Sequence, residues 1–247
     1  MKILIILGIL YIFLGCSSKN DASFVHSVFQ TDGATKVRQH INILQDSLIR
    51  YYIKLNKRNP SNTSKNNSTE IIQEIKNRTN IIRLHLAGSK KIVNYKDYLN
   101  IAFSEKYVKN RNDYLILGIY KMFYEAYTLT RTHTITTVQY DVKKVQEANK
   151  MMQIIQYKIQ KNKDRNGNYL FITWQRPWQL ESLKKINKHK KLNLEMYTQE
   201  QLLYHSNMTF QVLTQRMIFT LQETLHYLGV EGTDLSAQTI KSFLLFL

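Results

Sequence analysis

Apolar residues along this chain recur at steps of three and four far more often than at steps of two. Val37, Ile41, Leu44, Leu48, Tyr51 and Leu55 set the pattern. At 3.6 residues per turn these positions fall on one face of a helix. The spacing would also suit a coiled coil, but the run is shorter than three heptads, so packing inside a domain is expected. The stretch from Asn56 to Thr69 is low in complexity and almost wholly polar, and reads as a mobile loop. Its Asn-x-Ser/Thr triplets resemble glycosylation acceptors, which carry weight only in a secreted eukaryotic protein.

A second helix is predicted from about Glu70 to Leu86, with Ile71, Ile75 and Ile82 inward and Gly88 as its stop. A short helical or irregular piece around Tyr95 to Tyr107 follows. Tyr114 to Leu129 is the greasiest interior segment and has the length of a buried core helix rather than a membrane span. Only Lys121 and Glu125 interrupt it; one turn apart, they are expected to pair at the surface. The Thr-rich stretch from Thr128 to Val138 reads as irregular, with a short strand as the alternative.

Asp141 is a good N-cap for a helix carrying Val145, Ala148, Met152, Ile155 and Ile159 on one face, with Met151 and Met152 as core filler. Asp164-Arg165-Asn166-Gly167-Asn168 has the composition of a calcium loop. Its donor spacing is wrong and no distal Glu closes it, so it reads as a turn. Aromatics then gather at Tyr169, Phe171, Trp174 and Trp178, and Pro177 suits the first turn of a helix reaching about Lys191. Thr198 and Gln201 form a capping box for the longest helix, whose inward residues are Phe210, Leu213, Met217, Leu221, Leu225 and Leu228, with Gly229 ending it. A last amphipathic helix, from about Ser236 to Leu247, presents Leu235, Ile240, Phe243, Leu244 and Leu247. With only two Pro and eight Gly in 247 residues, the chain lacks the turns an all-β fold needs. The expected fold is all-α: a single irregular helical bundle of about six or seven helices.

The amino terminus follows a different logic. Met1-Lys2 precedes an apolar run from Ile3 to Gly15, and Cys16-Ser17-Ser18 follows it. A positive end, a short greasy stretch and a small residue at its close form a secretory signal. A helix needs roughly 20 apolar residues to cross a bilayer core of about 30 Å, so this run is too short to span. Phe13-Leu14-Gly15-Cys16 resembles the lipobox of bacterial lipoproteins, with Phe13 where an aliphatic residue is usual. That resemblance implies a cut before Cys16, the only cysteine, and acylation of its thiol; an ordinary signal peptide with an incidental cysteine is the alternative. Ser17 in place of Asp resembles the outer-membrane default of the family. The implied organisation is a signal peptide over 1–15, a polar tether over 16–34 and a helical domain over 35–247, held at the periplasmic face of a membrane, the outer one by this reading. Tyr140-Asp141-Val142 opening a helix, followed by Lys163 to Asn168 and an apolar segment, resembles a helical lipoprotein family of proteobacteria. That resemblance covers about half the chain, rests on capping and turn residues, and implies no activity and no functional residue.

Charge narrows the partners. Lys and Arg number 35 against 18 Asp and Glu, a net +17, which removal of Lys2 with the signal lowers by one. Such an excess attracts anionic surfaces, although a Lys-, Asn- and Ile-rich composition of the kind AT-rich genomes encode produces it too. The densest cluster is Lys184, Lys185, Lys188, Lys190 and Lys191, just after the aromatics. It suits contact with an anionic polymer or lipid, and equally a solvated helix end whose cations complement the dipole.

Chemistry is sparse. His26, His40, His85, His133, His189, His205 and His226 offer no pair at metal-ligand spacing, and no nucleophile elbow or phosphate loop is present. No enzyme activity, cofactor, metal or nucleic-acid partner is expected. The sequence points to a lipid-anchored envelope protein acting through protein contacts. A binder of anionic envelope polymer or lipid, or a periplasmic immunity protein, is the alternative.

Overall fold

A computed structural model describes residues 31–85, 92–129, 141–173 and 205–230. They form six α-helices and one 3-10 turn: α1 (Thr31–Arg58), the 3-10 turn (Pro60–Asn62), α2 (Lys65–Asn77), α3 (Tyr95–Ala102), α4 (Arg111–Ala126), α5 (Val142–Lys161) and α6 (His205–Tyr227). The fold is all-α. Its one departure among the described residues is an isolated antiparallel bridge between Lys163 and Tyr169.

Helix α4 is the axis. All its residues except Glu125 are buried, because α1, α2, α3 and α5 all pack on it. Helix α6 closes the bundle by lying against α1 and α5. The periodic residues of α1, from Val37 through Leu55, are each at most 2% exposed and join one continuous core with those of α4, α5 and α6. Helix α3 approaches α4 at Gly118, where a methyl group would lie 2.8 Å from Leu99 Cδ2 and 3.2 Å from Tyr98 Cβ. A side chain at this position would have to push Leu99 aside.

Local signals explain the boundaries. The Asp141 side chain accepts from the Lys144 amide and opens α5. Gly229, at φ +71°, ends α6 in a left-handed turn closed by the Val230 amide donating to the Leu225 carbonyl. Asp164 folds its loop into the expected turn by accepting from the amides of Asn166 and Asn168. Among the described residues no helix is long and apolar enough to cross a membrane.

Four expectations are corrected. Asn56 to Thr69 is not a loop: Asn56 lies in α1, Pro60 opens the 3-10 turn, and α2 has begun by Lys65. Its polar side chains are used by the fold, since Thr63 and Asn67 bond to buried Asp113 and Asn56 accepts from buried Asn112. Helix α2 ends well before Leu86, because Arg78 turns left-handed and the Glu74 carboxylate takes the amides of Ile81 and Ile82. Lys121 does not meet Glu125 at the surface. It is 1% exposed and points to Glu74, 3.9 Å away, and to Asn80. Finally, α1 starts at Thr31, inside the segment expected as tether.

Candidate functional site

Three helix C-termini and three helix N-termini meet at one end of the bundle, and named contacts fix that arrangement. Asp113, in the first turn of α4, is fully buried and accepts from Tyr52 of α1 at 2.6 Å, from Thr63 at 2.9 Å and from Asn67 of α2 at 3.3 Å. Next to it, Arg111 donates to the carbonyls of Ala102, Ser104 and Lys106, tying the end of α3 to the start of α4. The Phe103 ring, just beyond α3, packs edge-on against Phe171 and lies under the Lys158 ammonium of α5. Gln156 and Gln160 of α5 both donate to Gln211 near the start of α6. Lys54 and Arg58 of α1 lie over the Phe210 ring of α6. The ends of α1, α3 and α5 therefore surround the beginnings of α2, α4 and α6.

Lys57, Arg58, Lys106, Lys109, Lys161, Lys163 and Arg165 stand around this end, against Glu105 and Asp164. Buried Asp113 is occupied by its donors. Burial raises its carboxyl above the usual carboxylate range, opposed by the bonds from Tyr52, Thr63, Asn67 and the Ser64 amide. Asp164 is held below its usual range: slight desolvation is outweighed by bonds from Asn168 and Asn166 and by nearby Arg111. Desolvation, and then neighbouring Arg58, lowers Lys54; desolvation lowers Lys158 as well. Cations at the ends of α1, α3 and α5 complement the helix dipoles. The surface is thus cationic on a fixed frame, with an open concavity of about 460 Å³ beside Arg50, Ile53, Lys54, Lys57 and Arg58. Arg50 is compensated by Asp46 at 2.9 Å.

Two aromatic rings are exposed at this end. Tyr107 is 87% accessible and lies in sequence between Lys106 and Lys109. Tyr169 is 40% accessible, with the Lys163 ammonium 4.7 Å from its ring centre.

Other polar clusters act as ties. Lys121 sits between Glu74, Asn80 and the face of Tyr98, and its ammonium is pushed down to about 8 by burial, then by Arg83, with Glu74 and Glu125 opposing. His40 and Tyr127 both bond the Thr224 hydroxyl, which itself donates to the Thr220 carbonyl. Burial lowers His40, with Glu223 opposing and Lys36 reinforcing. Among the described residues no group of three or more His, Cys, Asp or Glu converges to hold a metal ion.

Cys16, the expected site of acylation, lies outside the described residues. So do Lys184, Lys185, Lys188, Lys190 and Lys191, Trp174 and Trp178, the predicted helix from Pro177, the Thr198 capping box, most of the Thr-rich stretch, Gly88 and the Ser236–Leu247 helix. The cationic end was not anticipated from the sequence. A local signal for part of it exists: no acid occurs between Ser47 and Thr69, while Arg50, Lys54, Lys57, Arg58 and Lys65 do. Lys106, Lys109, Lys161 and Lys163 join them only through tertiary contacts. Comparison with protein-family models, curated proteins and solved structures finds no match to this chain.

Proposed function

We infer that this protein is a lipid-anchored accessory protein of a bacterial cell envelope, working through non-covalent contacts rather than catalysis. The observation that carries this reading is Phe13-Leu14-Gly15-Cys16 at the close of a short apolar run, with Cys16 the only thiol in the chain. Two or more acyl chains give stable attachment at roughly 0.8 kcal/mol per buried methylene, whereas one gives marginal binding. An anchor of this kind suits a body whose described helices are too short or too polar to cross a bilayer. Contact with a protein partner is supported by α6, which exposes Met208, Val212 and Phe219 along its outer side.

The test is metabolic labelling with palmitate in a bacterial host. The protein is expected to take up label and fractionate with membranes, and Cys16→Ala is expected to abolish both. Equal labelling of the variant and the parent would overturn the assignment.

A further inference from the structure

We propose that the cationic end of the bundle binds an anionic glycan, a sugar polymer carrying carboxylate groups. Two observations converge. First, Lys106, Lys109, Lys161 and Lys163 are exposed and come from the α3–α4 turn and the end of α5, which the Lys158–Phe103 and Phe103–Phe171 contacts bring together. Charge gathered from separate elements onto a rigid frame matches a linear polyanion better than a single small ion, because each added contact releases further counterions.

Second, exposed Tyr107 and Tyr169 stand among those lysines. An apolar ring face beside ammonium groups offers a sugar ring a stacking surface while its carboxylate meets a cation, the division of labour that single-strand binders use with bases and phosphates. A purely electrostatic surface has no use for accessible rings.

Neither observation rests on the lipid-anchor reading.

The experiment uses the full chain in zwitterionic detergent micelles, with polygalacturonate oligomers, polyglutamate of equal charge, and phosphatidylglycerol doped into the micelles as probes. Binding is read by fluorescence anisotropy or calorimetry at two salt concentrations. Polygalacturonate is expected to bind most tightly and to weaken steeply with salt. Changing Lys106, Lys109, Lys161 and Lys163 together to Gln is expected to weaken it about tenfold or more. The same change at Lys36, Lys76, Lys143 and Lys144, which lie at the other end, should weaken it less than about twofold. Tyr107→Ser is expected to cost polygalacturonate binding several-fold and leave polyglutamate unchanged.

Equal losses from the two lysine sets would overturn the proposal, as would equal affinity for the two polymers or preferred binding of phosphatidylglycerol. The substituted lysines are exposed, and an unchanged melting temperature verifies that each variant is folded. If one set fails that check, the Tyr107→Ser comparison decides alone. Because binding is measured on purified protein, an unlabelled Cys16 would refute the anchor without touching this result.

Discussion

Replacing Asp113 by alanine removes the acceptor on which α1, α2 and α4 converge. The magnitude follows from the three side chains left behind. Tyr52 is itself fully buried, and its hydroxyl loses a 2.6 Å bond to the carboxylate, which leaves it the Thr63 and Asn56 side chains as neutral partners. Exchanging a charged acceptor for neutral ones at a buried donor costs about 1–3 kcal/mol. Thr63 and Asn67 are half-buried, and solvent can reach them once the carboxylate has gone, so each adds less, about 0.5–1 kcal/mol. Working the other way, a carboxylate whose pKa is raised by burial is costly to keep ionised, and its removal relieves that cost. The balance is a loss of about 2–4 kcal/mol. At this chain length that lowers Tm by roughly 4–16 °C. The assay is thermal unfolding followed by helical circular dichroism at pH 7. Asp113→Asn keeps an oxygen acceptor for Tyr52 and Thr63 and should fall about midway. A fall below about 2 °C for Asp113→Ala, or a larger fall for Asp113→Asn, would refute the reasoning.

Further outcomes are expected elsewhere. Gly118→Ala gains about 1 kcal/mol of helix propensity but drives a methyl into Leu99 and Tyr98, so it should destabilise by about 1–2 kcal/mol net, measured by chemical denaturation. Gly229→Ala, at φ +71°, should cost about 1 kcal/mol and fray the end of α6, read as faster amide exchange near Leu225 to Val230. Lys121 is pushed down to about 8 in the fold and stands near 10.5 when unfolded, so the unfolded chain binds more protons between those values. Its contribution to stability therefore rises as pH climbs from about 8 to 10.5 and is lost as pH falls through 8. Denaturation at pH 7, 8.5 and 10 should show that rise for the parent relative to Glu74→Gln/Lys121→Met; parallel curves would place Lys121 in water.

Helices whose burial is periodic were legible from the chain alone. The inward sets of α1, α5 and α6 were read residue by residue because a 3.6-residue repeat and a cap such as Asp141 or Gly229 are local features. Asn56 to Thr69 was misread because its helix is stabilised from outside. Asn, Ser and Thr are weak helix formers and bury little apolar surface, yet Asp113 reaches across from α4 to collect Thr63, Asn67 and the Ser64 amide where α2 begins. Glu74 and Lys121 escaped for a related reason. Each lies in a helical stretch where a charge suggests solvent, and only the packing of α2 and α4 turns the two toward one another. The cationic end was the least legible part. Beyond the acid-free stretch that holds Lys54 and Lys57, each lysine there has an ordinary sequence setting, and they accumulate because three helices finish side by side.

The most direct test of the lipid-anchor reading is mass spectrometry of the amino-terminal peptide of the protein purified from cell membranes. The expected peptide begins at Cys16 and is heavier by a diacylglyceryl group and an amide-linked acyl chain. A peptide beginning at Met1, or an unmodified thiol at Cys16, would contradict it.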